Sequence, residues 1–124
     1  MLVNDEPAKQ RILTALSDEY SRQILSATIT TPSSALELSK RYDIPITTVY
    51  RRIVELVDAG LIAAVKSGRT LDGKWYDLYR SLLLSISVSY DGTNLRIDAT
   101  VNDHISDKFK RMWTSIPTIR GSRE

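Results

Sequence analysis

The sequence predicts an α+β protein, with helices in the first half of the chain and antiparallel strands after them. Three observations predict it. Apolar residues recur at helical spacing as far as Ala59. After Gly60 the period changes to two. Between them, Asp43-Ile44-Pro45 splits the strongest helical stretch into two helices with a tight break. A length of 124 residues suits one domain with a single core.

The stretch from Ser34 to Ile62 organises the rest. Ser34 and Glu37 have capping-box spacing, so a helix can start there with its first amides satisfied. Ala35, Leu38 and Tyr42 give that helix an inward stripe. Pro45 disfavours helical geometry at Ile44 but is tolerated in the opening turn of a new helix. The second helix runs to Ala59, and Gly60 stands where a left-handed C-terminal cap is wanted. On that helix Val49, Ile53, Leu56 and Gly60 share one face, with Val57 at its edge. Thr47, Arg51, Val54, Glu55 and Asp58 share the opposite face. Thr48 and Arg52 lie on one flank and Tyr50 on the other. A buried seam backed by hydroxyls, a phenol and two arginines suits a helix laid into a DNA major groove. An ordinary amphipathic helix with a solvated face has the same gross pattern.

The other elements follow in order. Residues 1–5 are expected to be a loose lead, with Asn4 or Asp5 capping a first helix that has Pro7 in its opening turn. Ala8, Ile12, Ala15 and Leu16 line its inner side. Ser17-Asp18-Glu19 restarts the chain as a second helix whose Tyr20, Ile24, Leu25 and Ala27 point to the core, and 30–33 is a turn. Leu61 to Val65 reads as a strand. Residues 67–73 form a loop with two glycines, and a return strand begins at Lys74-Trp75-Tyr76. Apolar residues at even positions from Leu78 to Tyr90, with only Arg80 out of pattern, predict that this strand continues through a bend into another. Asp91-Gly92-Thr93-Asn94 is a hairpin turn before Leu95, Ile97, Ala99 and Val101. Asn102 or Asp103 can cap a last helix with Ile105, Phe109, Met112 and Trp113 as its apolar stripe. Ile116-Pro117 ends it, and Gly121 to Glu124 is expected to be a disordered tail.

Composition excludes several classes of function. No apolar run approaches a membrane span, and the N-terminus with Asp5 and Glu6 is not a secretory signal; the absence of cysteine fits the cytoplasmic protein that is expected. With no cysteine there are no disulfides or thiolate metal sites. The one histidine, His104, reads as a solvated surface residue, and with it alone no nucleophile–base constellation can be assembled. No glycine-rich phosphate loop appears. No enzyme, cofactor or metal site is therefore expected. The net charge of +2 is too small to argue for a polyanionic partner, but its distribution is informative. Residues 61–81 hold Lys66, Arg69, Lys74 and Arg80 against Asp72 and Asp77.

Three segments, Leu16 to Leu25, Ala35 to Ile62 and Trp75 to Ser81, together resemble the winged helix-turn-helix of ArsR-type transcription regulators, closest to the small forms common in archaea. Thr48-Val49-Tyr50-Arg51-Arg52 and Ala59-Gly60-Leu61-Ile62 are the most specific pieces. The resemblance implies an α+β winged helix-turn-helix with a C-terminal β-hairpin and terminal α-helix. It divides the chain into a DNA-binding domain, 1–81, and a dimerisation extension, 82–124. It implies a homodimer that binds double-stranded DNA sequence-specifically and regulates transcription. Ile46, Thr47, Thr48, Tyr50, Arg51, Arg52, Lys66, Arg69 and Lys74 are the expected DNA contacts, and Ile105, Phe109, Met112 and Trp113 the dimer contacts. Two features depart from the family. Pro45 stands where the recognition helix often has a serine or threonine cap, and the cysteine, histidine and carboxylate clusters of the metal-sensing members are missing. The alternative is a winged helix used as a protein-interaction module in a larger assembly, because Glu55 and Asp58 on the outer face would repel phosphate.

Overall fold

The computed structural model describes residues 1–103 and 119–120. Four helices, α1 (Glu6–Ser17), α2 (Glu19–Ala27), α3 (Ala35–Tyr42) and α4 (Ile46–Asp58), follow a short strand β1 (Leu2–Val3) and precede β2 (Ile62–Arg69), β3 (Trp75–Ser81), β4 (Leu83–Tyr90), β5 (Leu95–Val101) and β6 (Ile119–Arg120).

Local chemistry sets the helix boundaries. Asp5 caps α1, its carboxylate accepting the Ala8 N–H at 3.0 Å. Asp18 closes α1 through its own N–H and opens α2 through its carboxylate, which accepts the Ser21 N–H at 2.8 Å. Ser34 and Glu37 form the full capping box on α3, with bonds of 3.1 and 2.9 Å. The break between α3 and α4 turns on Asp43, whose φ of 53° and ψ of 49° are left-handed. That turn drives Ile44 into the core. Pro45 is the N-cap of α4 and supplies no side-chain bond. At the far end Gly60, with φ 76°, donates to the Val57 carbonyl while Leu61 donates to that of Leu56, both at 2.9 Å. This paired closure needs a residue free to take positive φ.

β2 and β3 form an antiparallel hairpin with a bulge between Ala64 and Lys66, and an isolated antiparallel bridge joins Ser33 to Tyr79 on the other side of β3. The second sheet has the order β4-β5-β1-β6, each described pair antiparallel. The chain passes between the sheets at Leu82. Leu82 and Leu83 are both buried, which strict alternation forbids, so the strand must bend there. The Ser81 hydroxyl holds the bend, donating to the Leu83 carbonyl at 2.7 Å and accepting its N–H at 3.3 Å.

Two expectations are corrected. Residues 1–5 are not a loose lead: Leu2 and Val3 pair with Asp98 and Ile97, and Val3 is 1% exposed. Two apolar residues are too few to show a period, so the strand was invisible before its partner was known. The loop expected over 67–73 is shorter, because the ladder of β2 with β3 continues to the Arg69–Trp75 pair. Along β4, Leu84, Val88 and Tyr90 are exposed. The core joins Ile12, Ile24, Leu38, Val49, Leu56 and Leu61 of the helical half to Leu82, Ile97 and Val3 of the sheet. Asn102 ties the halves again, its amide donating to the carbonyls of Ile29 and Ser81 at 2.8 and 2.9 Å. The predicted last helix, with His104, Ile105, Phe109, Met112 and Trp113, and the predicted tail from Gly121 lie outside the described residues.

Candidate nucleic-acid interface

The helical phase read from α4 holds in the structure. Val49, Ile53 and Leu56 are buried, whereas Thr47, Tyr50, Arg51, Val54, Glu55 and Asp58 are exposed. Ile46 and Thr48 are half-buried, and Ile46 packs against the core rather than standing free at the helix tip. A groove of about 1020 Å³ runs between α3, α4 and the β2–β3 hairpin. Leu36, Lys40, Tyr50, Arg69, Lys74 and Trp75 are among its lining residues. Cations and aromatic rings thus share one concave surface with Glu37 and Asp77.

The hairpin is ordered by its own side chains. The Arg69 guanidinium lies 5.0 Å from the centre of the Trp75 ring, across a directly paired rung, and its Nε donates to the Gly73 carbonyl at 3.3 Å. On the other face of the hairpin the Tyr76 ring covers Gly68 so closely that a Cβ there would meet it at 2.3 Å. Thr70 accepts the Lys74 N–H at 2.9 Å and bonds to Asp72. Tyr79 sits half-buried at the back of the groove. Burial, then the nearby Asp77 charge, pushes its hydroxyl above the usual tyrosine range, so it stays a neutral donor.

Not every predicted cation faces outward. Arg52 makes a two-pronged pair with Asp18, Nε at 2.9 Å and Nη2 at 3.1 Å, and Nη1 reaches Glu55 at 3.3 Å. Burial opposes the Asp18 charge, but bonds from Arg52 and Ser21 outweigh it and hold the carboxyl below its usual range; the same pairing raises Arg52. Arg52 is therefore a brace between α4 and α2. Arg80 is likewise engaged within the fold, donating to the carbonyls of Ile29 and Thr30. Arg51, Lys66, Arg69 and Lys74 remain exposed. Sequence reasoning missed Lys40, in the last turn of α3, which lines the groove. Its signal was its spacing: Leu36 and Lys40 are one turn apart on the face opposite Ala35 and Leu38.

Residues 10–65 match a family model described as a helix-turn-helix domain. The fold is a winged helix-turn-helix. The hairpin after the second helix of the motif is its wing. Among solved structures, the chain is similar to reduced HlyU from Vibrio cholerae N16961, at 17% identity over 86% of this chain and 82% of that one, with a TM-score of 0.42. A second HlyU structure from the same organism also gives 17% identity over 86% of this chain, covers 85% of its own and has a TM-score of 0.41. Among curated proteins, none matches. Among the described residues no group of three or more histidine, cysteine, aspartate or glutamate residues is placed to hold a metal ion, and no helix is long and apolar enough to cross a membrane.

Proposed function

We propose that this protein is a cytoplasmic, ArsR-like transcription regulator that binds double-stranded DNA sequence-specifically as a homodimer. The observation that carries the reading is the shared exposure of Thr47, Tyr50 and Arg51 on α4 with Lys66, Arg69 and Lys74 on the wing. Such an arrangement lets one helix enter the major groove while the hairpin meets the backbone. Arg51 lies opposite the buried seam, where its guanidinium can bridge the two acceptors of a guanine. Lys66, Arg69, Lys74 and Lys40 hold phosphate. Residues 1–81 carry DNA binding, and 82–124 carry self-association. A two-fold pair would set the two recognition helices about one DNA turn, roughly 34 Å, apart.

The outer-face acids weigh less against this reading than their number suggests. Glu55 is partly neutralised by Arg52, and Asp58 stands in the last turn of α4, away from the helix start. The second reading, a protein-interaction module, draws on the exposed Leu36, Trp75 and Leu71 around the groove.

Selection of bound sequences from random duplex DNA tests the proposal, and an enriched inverted repeat is the expected result. On the selected site affinity falls steeply with salt, because neutralised phosphates release counterions. Absent or salt-independent binding would favour the interaction module. Arg51→Ala is expected to cost about 1–3 kcal/mol on the selected site and to relax discrimination at one base pair. Lys66→Ala and Arg69→Ala should instead weaken selected and random duplexes alike and shallow the salt dependence. Equal weakening of every sequence by Arg51→Ala would make it a phosphate contact.

A further inference from the structure

β4 is the end strand of its sheet, with β5 on one side and no strand on the other among the described residues. Its sequence, Leu-Leu-Ser-Ile-Ser-Val-Ser-Tyr, carries no charge and no proline, the devices that usually protect a free edge. Its two faces differ. Ile86, Val88 and Tyr90 lie on the face of their cross-strand partners Ala99, Ile97 and Leu95, with Ile86 packed against the edge of the core. Val88 is 43% exposed and Tyr90 69%. Leu84, 41% exposed, lines with Ile86, Leu16 and Leu25 a shallow apolar hollow of about 210 Å³ between α2 and β4. Ser85, Ser87 and Ser89 alternate onto the opposite, polar face beside Thr100, Asp98 and Arg96.

We propose that β4 is the two-fold interface, pairing antiparallel with β4 of a second copy about Ser87. This rests on the homodimer reading and places its axis. The sequence is self-complementary in that register. Ile86 meets the partner's Val88, and the partner's Tyr90 reaches Leu84 at the bulge that interrupts the β4–β5 ladder between Leu83 and Ser85, so the apolar side chains of the two copies share one face. Ser85 meets the partner's Ser89, and Ser87 meets the partner's Ser87. A register shifted by one residue would set serines against the apolar stripe. The partner's Tyr90, arriving opposite Leu84, stands at the mouth of the hollow and can fill it. An uncharged strand meets its own copy without like-charge repulsion. Among the described residues no strand pairs with the N–H and C=O groups of this edge, and such groups call for a strand rather than a helix or a small molecule.

The chain has no cysteine, which makes cross-linking unambiguous. On mild oxidation Ser87→Cys should give a disulfide-linked dimer across the axis, since paired strands hold facing residues within disulfide reach. Ser85→Cys alone should not, its copies lying about 13 Å apart along the strands, whereas a mixture of Ser85→Cys and Ser89→Cys should. Val88→Lys should weaken dimerisation measured by light scattering roughly a hundredfold or more, because an unpaired ammonium would be desolvated in each copy. Its circular dichroism should stay native, the side chain being exposed in the single copy. A dimeric protein in which Ser87→Cys does not cross-link and Val88→Lys stays dimeric overturns this interface and leaves the homodimer reading intact. An unmodified chain that is monomeric at high micromolar concentration overturns both.

Discussion

Asp18 performs two tasks with one carboxylate: it caps α2 and pairs with Arg52, and it thereby joins α2 to α4. Asp18→Asn keeps an oxygen for the cap but removes the charge, and it should cost about 0.5–1 kcal/mol in urea unfolding at neutral pH, the pair being partly solvated. Asp18→Ala should cost about 1 kcal/mol more, through loss of the cap. The pH dependence has a definite sign. The carboxyl is held below its usual range in the folded protein, so its contribution is complete above the ordinary aspartate value of about 3.9. It is lost as pH falls through the lowered folded value, and the penalty of Asp18→Asn should shrink over that same acid range. A penalty unchanged between neutral pH and the far acid limb would show that the pair contributes nothing. Asp43 offers the opposite opportunity. Its left-handed backbone strains any side chain, and Asp43→Gly should raise stability by about 0.5–1 kcal/mol, read from the urea midpoint.

Among the elements, α4 and the wing depend on how the chain leaves the helix. Gly60 closes α4 and aims Leu61, then Ile62 at the start of β2, into the core. Gly60→Ala forces a side chain into positive φ and should destabilise by about 1 kcal/mol or more, with a lower thermal midpoint as the measure. The wing depends on contact rather than on φ. At Gly68 a methyl group meets the Tyr76 ring, so Gly68→Ala must displace that ring. Its expected signature is weaker binding to every duplex with stability nearly unchanged, because both residues belong to the hairpin and not to the core.

At the scale of the whole molecule, the two halves share one core, so the surface of α4 and the wing and the β4 sheet are parts of one packed body. β1 shows the coupling. Val3 pairs with Ile97 within the sheet and is buried, and Lys9 donates to the Leu95 carbonyl at 2.9 Å, so the start of the chain fastens α1 to β5. Val3→Ala should cost about 1–2 kcal/mol in thermal unfolding, where an exposed leading residue would cost within about 0.5 kcal/mol.

Much of this was written in local chemistry. The capping box at Ser34, the restart at Asp18, the break before Pro45 and the closure at Gly60 each depend on residues within a few positions of one another. Short-range hydrogen bonds and allowed dihedrals decide them, so the order of the four helices, the switch to strands and the buried seam of α4 were legible from spacing alone. Partners distant in sequence decided the rest. Arg52 and Arg51 are adjacent arginines on one amphipathic helix, and only the approach of Asp18, 34 positions earlier, makes one a brace and leaves the other exposed. Arg80 reads as one more wing cation until the carbonyls of Ile29 and Thr30 are placed beside it. Leu2-Val3 becomes a strand only when β5 supplies its hydrogen bonds. The apolar stripe of β4 alternates as a core strand should, but how far the helices reach across a sheet follows from packing, and the packing leaves it exposed.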